Sequence, residues 1–264
     1  MTTLTAKQRE IRGRERRILN VATAMVRDGG SMAIRMDAIA KQLGVTRGTI
    51  YNHFPHREDI VLSLADRAIR RRIELFQFAA SLSVGSRDQI ATVGLACEVY
   101  VDEMPDDFAV EQMIRHDNVW QKCSEARREN LRQCEANCMS SLSHIIDRAI
   151  RQGDLSLPRR QSPVDVLFGL WSLTYGGMMI ELSSPSLAEL GIRDSRETIR
   201  RNCNAMLDGL DWRPRYDADA YRRLVRRVRR KLVAKAGQIV ASEADDSHSL
   251  DSGANPSFSS AEPN

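Results

Sequence analysis

A short run of polar side chains in the string GVTRGTIYNHF could hydrogen-bond to nucleic acid. Arg47, Thr49, Asn52 and His53 fall at spacings that place them on the outer side of one short helix. A DNA-reading helix presents such side chains to the edges of bases. Thr46 is a natural N-cap for this helix, and the free amides of its first turn favour a phosphate. These residue types predict contact with DNA.

Two short helices must position these side chains, and the spacing of apolar residues predicts both. The first covers residues 36–43 and is ended by Gly44, which can take a left-handed conformation. The second covers residues 47–53 and is anchored by Ile50 and Phe54. A preceding helix carries apolar residues on one face: Ile18, Leu19, Ala22, Met25 and Val26. The arrangement is that of a helix-turn-helix.

The stretch from residue 14 to 64 resembles the TetR family of bacterial transcriptional regulators. The string GVTRGTIYNHF is nearly the consensus of that family, and about the first quarter of the chain matches by motif. The resemblance implies a three-helix DNA-binding domain whose reading unit is about residues 35–54. It also implies a helical regulatory domain with a long central helix and two closing helices that dimerise.

The resemblance also implies roles for individual residues. Thr49, Tyr51 and Arg57 would contact phosphates, and Thr46 would cap the helix or contact a phosphate. The residues expected in the groove are Arg47, Gly48, Asn52 and His53.

Three of these assignments have alternatives. Arg35 stands where the family usually has a capping Thr or Ser, so it either reaches a phosphate or is simply exposed. His53 either enters the groove or packs beneath the helix. Tyr51 either packs or contacts a phosphate, and one side chain can do both.

The rest of the chain is also predicted to be helical, since no sustained alternation of apolar and polar residues supports strands. A helix begins at Ser86 and is interrupted at Pro105. A long helix runs from about residue 119 to 152. Ser162 caps a helix that is apolar nearly all round, and a further helix covers residues 195–207.

Charge and composition divide the chain into five predicted segments. The net charge is +7 over residues 1–80, −6 over 81–212, +8 over 213–241 and −5 over 242–264. A basic head on an acidic body suggests a polyanion-binding module attached to a second domain. The predicted fold is all-α: a flexible basic arm (1–13), the helix-turn-helix domain (14–80), a ligand-binding and dimerisation domain (81–212), a basic helical extension (213–241) and a disordered acidic tail (242–264).

The extension is predicted to be one amphipathic helix over residues 218–241, with arginines interleaved among apolar residues. Three interpretations remain open for it: an appendage packed on the body, an additional DNA contact, or binding to a membrane surface.

Two further sets of residues follow from the regulatory domain. The adaptable or amphipathic apolar residues expected to line a ligand pocket are Phe108, Met113, Trp120, Trp171, Tyr175, Met178 and Met179, and ordinary core packing is the alternative. The residues expected at a dimer interface are Gly169, Leu173, Gly176, Gly177, Ile199, Cys203 and Met206. Packing within the chain is the alternative for the small residues.

Cysteine usage and the motif search argue against catalysis, a metal or a cofactor. Five widely spaced cysteines suit a reducing cytoplasm better than a disulfide framework. Cys134 and Cys138 share a helix face and suggest a metal or redox pair, but core packing explains them as well. Nucleotide, hydrolase and metal motifs such as GxGxxG, GxSxG and HExxH are missing from the sequence.

The sequence therefore predicts a cytoplasmic TetR-type regulator, a repressor that leaves a pseudo-palindromic operator when a mostly apolar small molecule binds. Its expected partners are double-stranded DNA, a second copy of the chain and that effector. No membrane partner is expected, because no apolar run approaches the length of a span. The rival classes are an architectural DNA-binding protein without an effector, and a DNA-processing enzyme that uses the helix-turn-helix for targeting.

Overall fold

The computed structural model describes residues 5–29, 33–114, 117–184 and 186–251, and every regular element in these ranges is a helix. The all-α prediction is therefore confirmed. The helices are α1 (Ala6–Gly29), α2 (Met36–Gln42), α3 (Arg47–His53), α4 (Arg57–Ser81), α5 (Ser86–Glu103), α6 (Pro105–Met113), α7 (Asp117–Lys122), α8 (Glu125–Gln152), α9 (Pro163–Ser183), α10 (Ser195–Gly209) and α11 (Ala218–Asp251).

Helices α1 to α3 and the first turns of α4 form a head around one apolar cluster. Ile18, Ile39, Ile50 and Phe54 contribute fully buried side chains to it. Gly44, between α2 and α3, has a φ of 64°, a conformation that side chains rarely adopt. The apolar periodicity and this glycine together turn α3 across the head.

The body is built from α5, α8, α9 and α10, and α4 connects it to the head as one continuous helix. Ser162 and Asp165 form the capping box that starts α9, as the sequence predicts. Trp212 is fully buried below these helices, where its Nε1 donates a hydrogen bond to Ser86.

Helix α11 packs along α5 and α4 and also contacts α1. Its buried apolar face consists of Leu224, Val228, Leu232, Ala236 and Ile239. Ion pairs hold its polar flanks: Arg229 pairs with Asp102 at 3.2 Å and with Glu98 at 3.6 Å, and Lys235 pairs with Glu74 at 2.6 Å. The extension is thus an integral part of the packed body.

The N-terminal boundary differs from the prediction of a flexible arm over residues 1–13. Helix α1 already begins at Ala6, so residues 6–13 are helical, while residues 1–4 lie outside the described ranges. Thr5 and Gln8 exchange hydrogen bonds of 2.9 and 3.3 Å in a reciprocal cap. This pair of residues extends the helix toward the N-terminus.

Two further boundaries differ. The helix predicted over residues 119–152 is divided between α7 and α8, since the Ser124 amide turns away to bond with Asp59 of α4. Helix α11 continues to Asp251, so residues 242–251 are helical and not the start of a disordered tail. The remainder of the predicted tail, 252–264, lies outside the described residues.

Candidate functional site

The helix-turn-helix places α3 with one apolar side on the head and one polar side outward. Ile50 and the following Phe54 are fully buried. The Thr46 hydroxyl caps the helix by accepting from the Thr49 amide at 3.2 Å. The anchor residues and the cap therefore stand where the sequence predicts them.

Four of the predicted DNA-contacting residues lie together on the exposed side of α3: Arg47, Gly48, Tyr51 and Asn52. Arg47 donates a hydrogen bond to the Tyr51 hydroxyl at 3.1 Å and stacks 5.4 Å from its ring centre. That hydrogen bond raises the pKa of the Arg47 guanidinium. Gly48 leaves open space beside the helix, since an added Cβ would only meet the Thr46 hydroxyl at 3.8 Å. A phosphate or base edge can approach the backbone closely there.

The N-terminal end of α3 has the features of an anion site. Thr49 is half-buried, and its hydroxyl lies 2.9 Å from that of Thr46. The two hydroxyls flank the first-turn amides, whose partial positive charge favours a phosphate.

The two outlying arginines are placed differently from each other. Arg35 is exposed at the N-cap of α2 but forms no side-chain cap, and its guanidinium pairs with Asp37 at 2.9 Å. Arg57 is the first residue of α4 and pairs with Glu58 at 3.2 Å. Arg35 precedes α2 and Arg57 follows α3, and each arginine forms an ion pair with a neighbouring carboxylate.

His53 does not share the exposed side of α3. Its side chain is only 11% exposed, and its Nδ1 lies 3.9 Å from the Glu15 carboxylate of α1. The alternative in which His53 packs beneath the helix describes this position. The outward direction expected from spacing fails here because α1, through Glu15, lies against the last turn of α3.

A cavity of about 230 Å³ lies in the body between α4, α5, α8, α9 and α10. Trp171 and Met178, two of the predicted lining residues, border it. Phe108 and Tyr175 border an adjoining space of about 70 Å³ together with the same two residues. Most of the residues that line the cavity belong to the segment 81–212, for which ligand binding remains a prediction.

The other predicted lining residues are placed elsewhere. Met113 packs against the cluster of the head, and Met179 packs against the body core without lining a cavity described here. The side chain of Trp120 lies outside the described residues. The spacing of apolar residues predicted which helix faces are apolar, but it did not show which of those faces border a cavity.

Charged residues in the cavity wall were not foreseen. Arg72 pairs with Glu111 at 2.9 Å, and Glu111 also accepts a 2.7 Å hydrogen bond from Tyr100. Arg200 pairs with Glu98 at 2.5 Å. Each cation is neutralised across two helices, so the wall is charged but its ion pairs are satisfied.

Three cysteines line the cavity: Cys97, Cys138 and Cys203. Burial raises the pKa of Cys97 to about 12 and that of Cys203 to about 11. Cys134 is buried nearer the head, and none of the five cysteines, all of which lie within the described ranges, forms a disulfide. Among the residues that the structure describes, no cluster of His, Cys, Asp or Glu could hold a metal ion.

The small residues of α9 mostly serve packing within the chain. A Cβ on Gly169 would lie 2.5 Å from Met206, and one on Gly177 would lie 2.5 Å from Ile199. Cys203 and Ile199 border the cavity, while Leu173 and Gly176 remain half-buried. The opposite side of α9 exposes large apolar side chains, Val164, Phe168, Trp171 and Leu182, and Ile180 is exposed on another side of the helix.

Comparison with known proteins identifies the head. Residues 18–64 match the family described as "Bacterial regulatory proteins, tetR family". The chain is 30% identical over 76 residues to the "Fatty acid metabolism regulator protein" of Bacillus subtilis (strain 168), covering 29% of this chain and 39% of that one. It is 35% identical over 60 residues to the "HTH-type transcriptional repressor KstR" of Mycolicibacterium smegmatis, covering 23% and 29%. The chain thus spans less than two fifths of these relatives.

The likeness of the whole fold extends further than that of the sequence. The crystal structure of PfmR, a TetR family transcriptional regulator from Thermus thermophilus, superposes with a TM-score of 0.52 at 20% identity. It covers 74% of this chain and 98% of that one. Within the described ranges, no helix has the length and apolarity needed to cross a bilayer.

Proposed function

Because residues 18–64 match the tetR family of bacterial regulatory proteins, we propose that this chain is a transcriptional repressor of that family that binds operator DNA as a homodimer. The observation that carries the proposal is the exposed side of the capped helix α3, where Arg47, Tyr51 and Asn52 stand together. The name of the mycobacterial relative, a transcriptional repressor, supports the sign of regulation. The site of action is the cytoplasm, where the operator is.

The geometry supports a division of labour on DNA. Arg47 and Asn52 project from the first and middle turns of α3, so they read base edges. Thr46, Thr49 and Tyr51 bind phosphates at the end of the helix. Two-fold symmetry then requires a pseudo-palindromic operator with half-sites about 34 to 36 Å apart, or a multiple of that spacing.

Selection of bound sequences from a random DNA pool tests this function. The full chain should enrich a palindromic site, and affinity should fall steeply with added salt. Arg47→Ala should relax discrimination at one base pair by about 1 to 3 kcal/mol. Thr49→Ala with Tyr51→Phe should weaken binding to all sequences alike. Arg132→Ala, which removes an exposed arginine of α8, is the matched control. Selection that enriches no sequence would refute the proposal.

The exposed apolar side of α9 supports dimerisation. Val164, Phe168 and Leu182 are each more than half exposed, and Trp171 is 42% exposed. Large apolar side chains gathered on one face of a helix in this way are typical of protein interfaces. A second copy packed on α9 and α10 would cover these side chains and fix the spacing of the two heads.

We further propose that the cavity binds a small, mostly apolar effector that releases the operator. A cavity of about 150 Å³ accommodates benzene, so about 230 Å³ suits a somewhat larger molecule. Arg72 and Arg200 already pair with carboxylates, whereas Glu135 lines the cavity and forms no ion pair with the residues that the structure describes. Such a wall favours a neutral molecule with a hydroxyl donor over a free acid.

Ligand-induced stabilisation tests the effector class. Octan-1-ol should raise the melting temperature of the protein more than octanoate does at the same concentration. Gly94 lines the cavity, and a Cβ there enters open space, so Gly94→Phe should fill the cavity and abolish the difference. Gly237→Phe, at an exposed and open position of α11, is the control. An equal response of Gly94→Phe and the unmodified chain would place the ligand elsewhere.

The proposal includes no catalytic step. The relatives are regulators by name, and a nicking assay on supercoiled DNA tests the point directly. Strand cleavage by the purified chain would replace this function with that of a DNA-processing enzyme.

A further inference from the structure

The first turn of α8 contacts the end of the DNA-reading helix through one side chain, Arg127. Its guanidinium donates to the backbone carbonyl of His53, the last residue of α3, at 3.3 Å. It also lies 4.5 Å from the ring centre of the fully buried Phe54. A cation at the carboxyl end of a helix is stabilised by the partial negative charge of the free carbonyl groups there. Arg127 therefore contacts both the last backbone carbonyl of α3 and the ring of Phe54, which anchors α3 in the head.

The same guanidinium contacts two other helices of the head. One nitrogen donates to the Ser63 hydroxyl of α4 at 2.5 Å, and the other lies 3.5 Å from the Glu15 carboxylate of α1. Its side chain is only 26% exposed. One arginine of the body thus contacts α1, α3 and α4 together.

A second contact fixes the start of α8 at the same place. The backbone amide of Ser124 donates to Asp59 Oδ1 at 2.8 Å, and the other oxygen of this fully buried carboxylate caps α4. Leu131 and Cys134, one and two turns further along α8, belong to the apolar cluster of the head. The first three turns of α8 therefore pack as part of the head.

The next turns of α8 form a wall of the cavity. Glu135, Cys138, Met139 and Leu142 all line it. Arg127 and Cys138 are eleven residues apart on one uninterrupted helix, or about 16 Å. A helix of this length transmits a displacement at one end to the other, because its backbone hydrogen bonds are continuous.

We propose that Arg127 is a positioning residue that couples occupancy of the cavity to the orientation of α3 through α8. This inference rests on the proposed function for its meaning, because α3 is there the DNA-reading helix. A ligand that displaces the Cys138–Leu142 wall shifts the Arg127 end of α8, and the guanidinium moves the His53 end of α3. Coupling between two sites requires such differential contacts in the two states.

Hydrogen exchange of the full chain tests the coupling without DNA. Arg127→Ala should speed amide exchange in the peptide covering residues 47–54 about tenfold, the loss expected for a hydrogen bond from a charged donor. Arg127→Lys, which keeps the charge but lacks the planar fork, should recover only part of the protection. Arg132→Ala is the matched control, since Arg132 lies on α8 but pairs only with Glu125 and Glu129 within the described residues.

A double-mutant comparison separates coupling from simple loss of stability. Gly94→Phe, which fills the cavity, should change exchange in residues 47–54 of the unmodified chain and leave it unchanged in the Arg127→Ala background. Gly94→Met serves the same purpose if phenylalanine prevents folding. Unaltered exchange in Arg127→Ala, or a Gly94 effect that persists in full without Arg127, would overturn the inference.

The DNA measurement completes the test. Arg127→Ala should bind the selected operator about tenfold more weakly and show no further loss on Gly94→Phe. If selection enriches no operator, the proposed function fails, while the exchange experiment still decides whether Arg127 couples the cavity to α3.

Discussion

The absence of a Cβ atom at two glycines of α9 lets α9 and α10 approach each other closely. Gly177 permits contact with Ile199, and Gly169 permits contact with Met206. The two contacts differ in tolerance, because the end of a methionine side chain can move aside more easily than the branched chain of Ile199. The space for a Cβ is therefore most restricted at Gly177.

We predict that Gly177→Ala destabilises the chain by about 1 to 3 kcal/mol, since the added methyl group overpacks the contact with Ile199. Gly237→Ala, at an open helical position, should instead stabilise it by about 0.5 to 1 kcal/mol. Urea unfolding of both variants measures the difference. A higher free energy of unfolding for Gly177→Ala would show that α10 can shift away from α9 to accommodate the methyl group.

The cavity thiols of Cys97 and Cys203 give a second prediction at this scale. Burial raises the pKa of Cys97 to about 12 and of Cys203 to about 11, against about 8.5 for a free cysteine. At pH 8 the thiolate fraction should therefore fall by about two orders of magnitude for Cys203 and about three for Cys97, so both should react with iodoacetamide at least about a hundredfold more slowly in the native chain than in urea. Mass spectrometry of the two peptides measures this. Alkylation at equal rates in buffer and in urea would contradict the prediction.

The raised thiol pKa values also fix a direction of pH dependence. Ionisation of the unfolded chain begins near pH 8.5, below the folded values of about 11 and 12. The stability that the neutral thiols contribute is present below that pH and is lost as pH rises through the folded values.

At the scale of elements, α11 separates its two faces clearly. Its apolar side is buried against α4 and α5, and Tyr221 near its start lines the cavity. Its outer side carries five exposed cations with no ion pair among the described residues: Arg223, Arg226, Arg227, Arg230 and Lys231. The packing explains the apolar half of the pattern without any nucleic acid.

We predict that truncation after Arg213 lowers the melting temperature, because it uncovers the apolar surface beneath α11. The salt dependence of operator binding should remain unchanged, since the basic side is not part of the α3 surface. Replacing Arg223, Arg226, Arg227 and Arg230 by Gln tests the second point in a chain that keeps its core. A markedly shallower salt slope in this variant would show that α11 touches DNA.

Elements with strong local signals were predictable from the sequence. The cap at Thr46 and the apolar spacing predicted both bounds of α3, and the cap at Ser162 predicted the start of α9. The break before α8 was not predictable, because it depends on a bond between Ser124 and Asp59, residues 65 apart in sequence.

The same reason limits what could be predicted of the sites. Arg47 and Asn52 are exposed on α3 because local helical geometry suffices to place them. Other contacts form only when helices that are distant in sequence pack together. They include the ion pairs of Arg72 and Arg200 and the hydrogen bond from Arg127 to α3. A charged residue in a helical pattern is predicted to be exposed to solvent unless its ion-pair partner is known.

At the scale of the whole molecule, the exposed apolar side of α9 predicts the oligomeric state. Phe168→Glu should shift the chain from dimer to monomer and weaken operator binding, since a charge is costly to bury at an interface. Sedimentation at several concentrations measures the first effect. Val84→Glu, another exposed apolar residue that lies outside α9, is the control. A Phe168→Glu dimer of undiminished affinity would place the interface elsewhere.

The packing of α11 on α4 and α5 also orders events during synthesis. Lys235 joins Glu74 across 161 residues, and Arg229 joins Asp102 across 127. The ribosome therefore releases α4 and α5 well before the segment that covers them exists. A nascent chain can fold its head early, but it carries an uncovered apolar strip until residues 224–239 emerge. Contacts of such long sequence separation close slowly, and the open strip exposes the unfinished chain to aggregation and to chaperones.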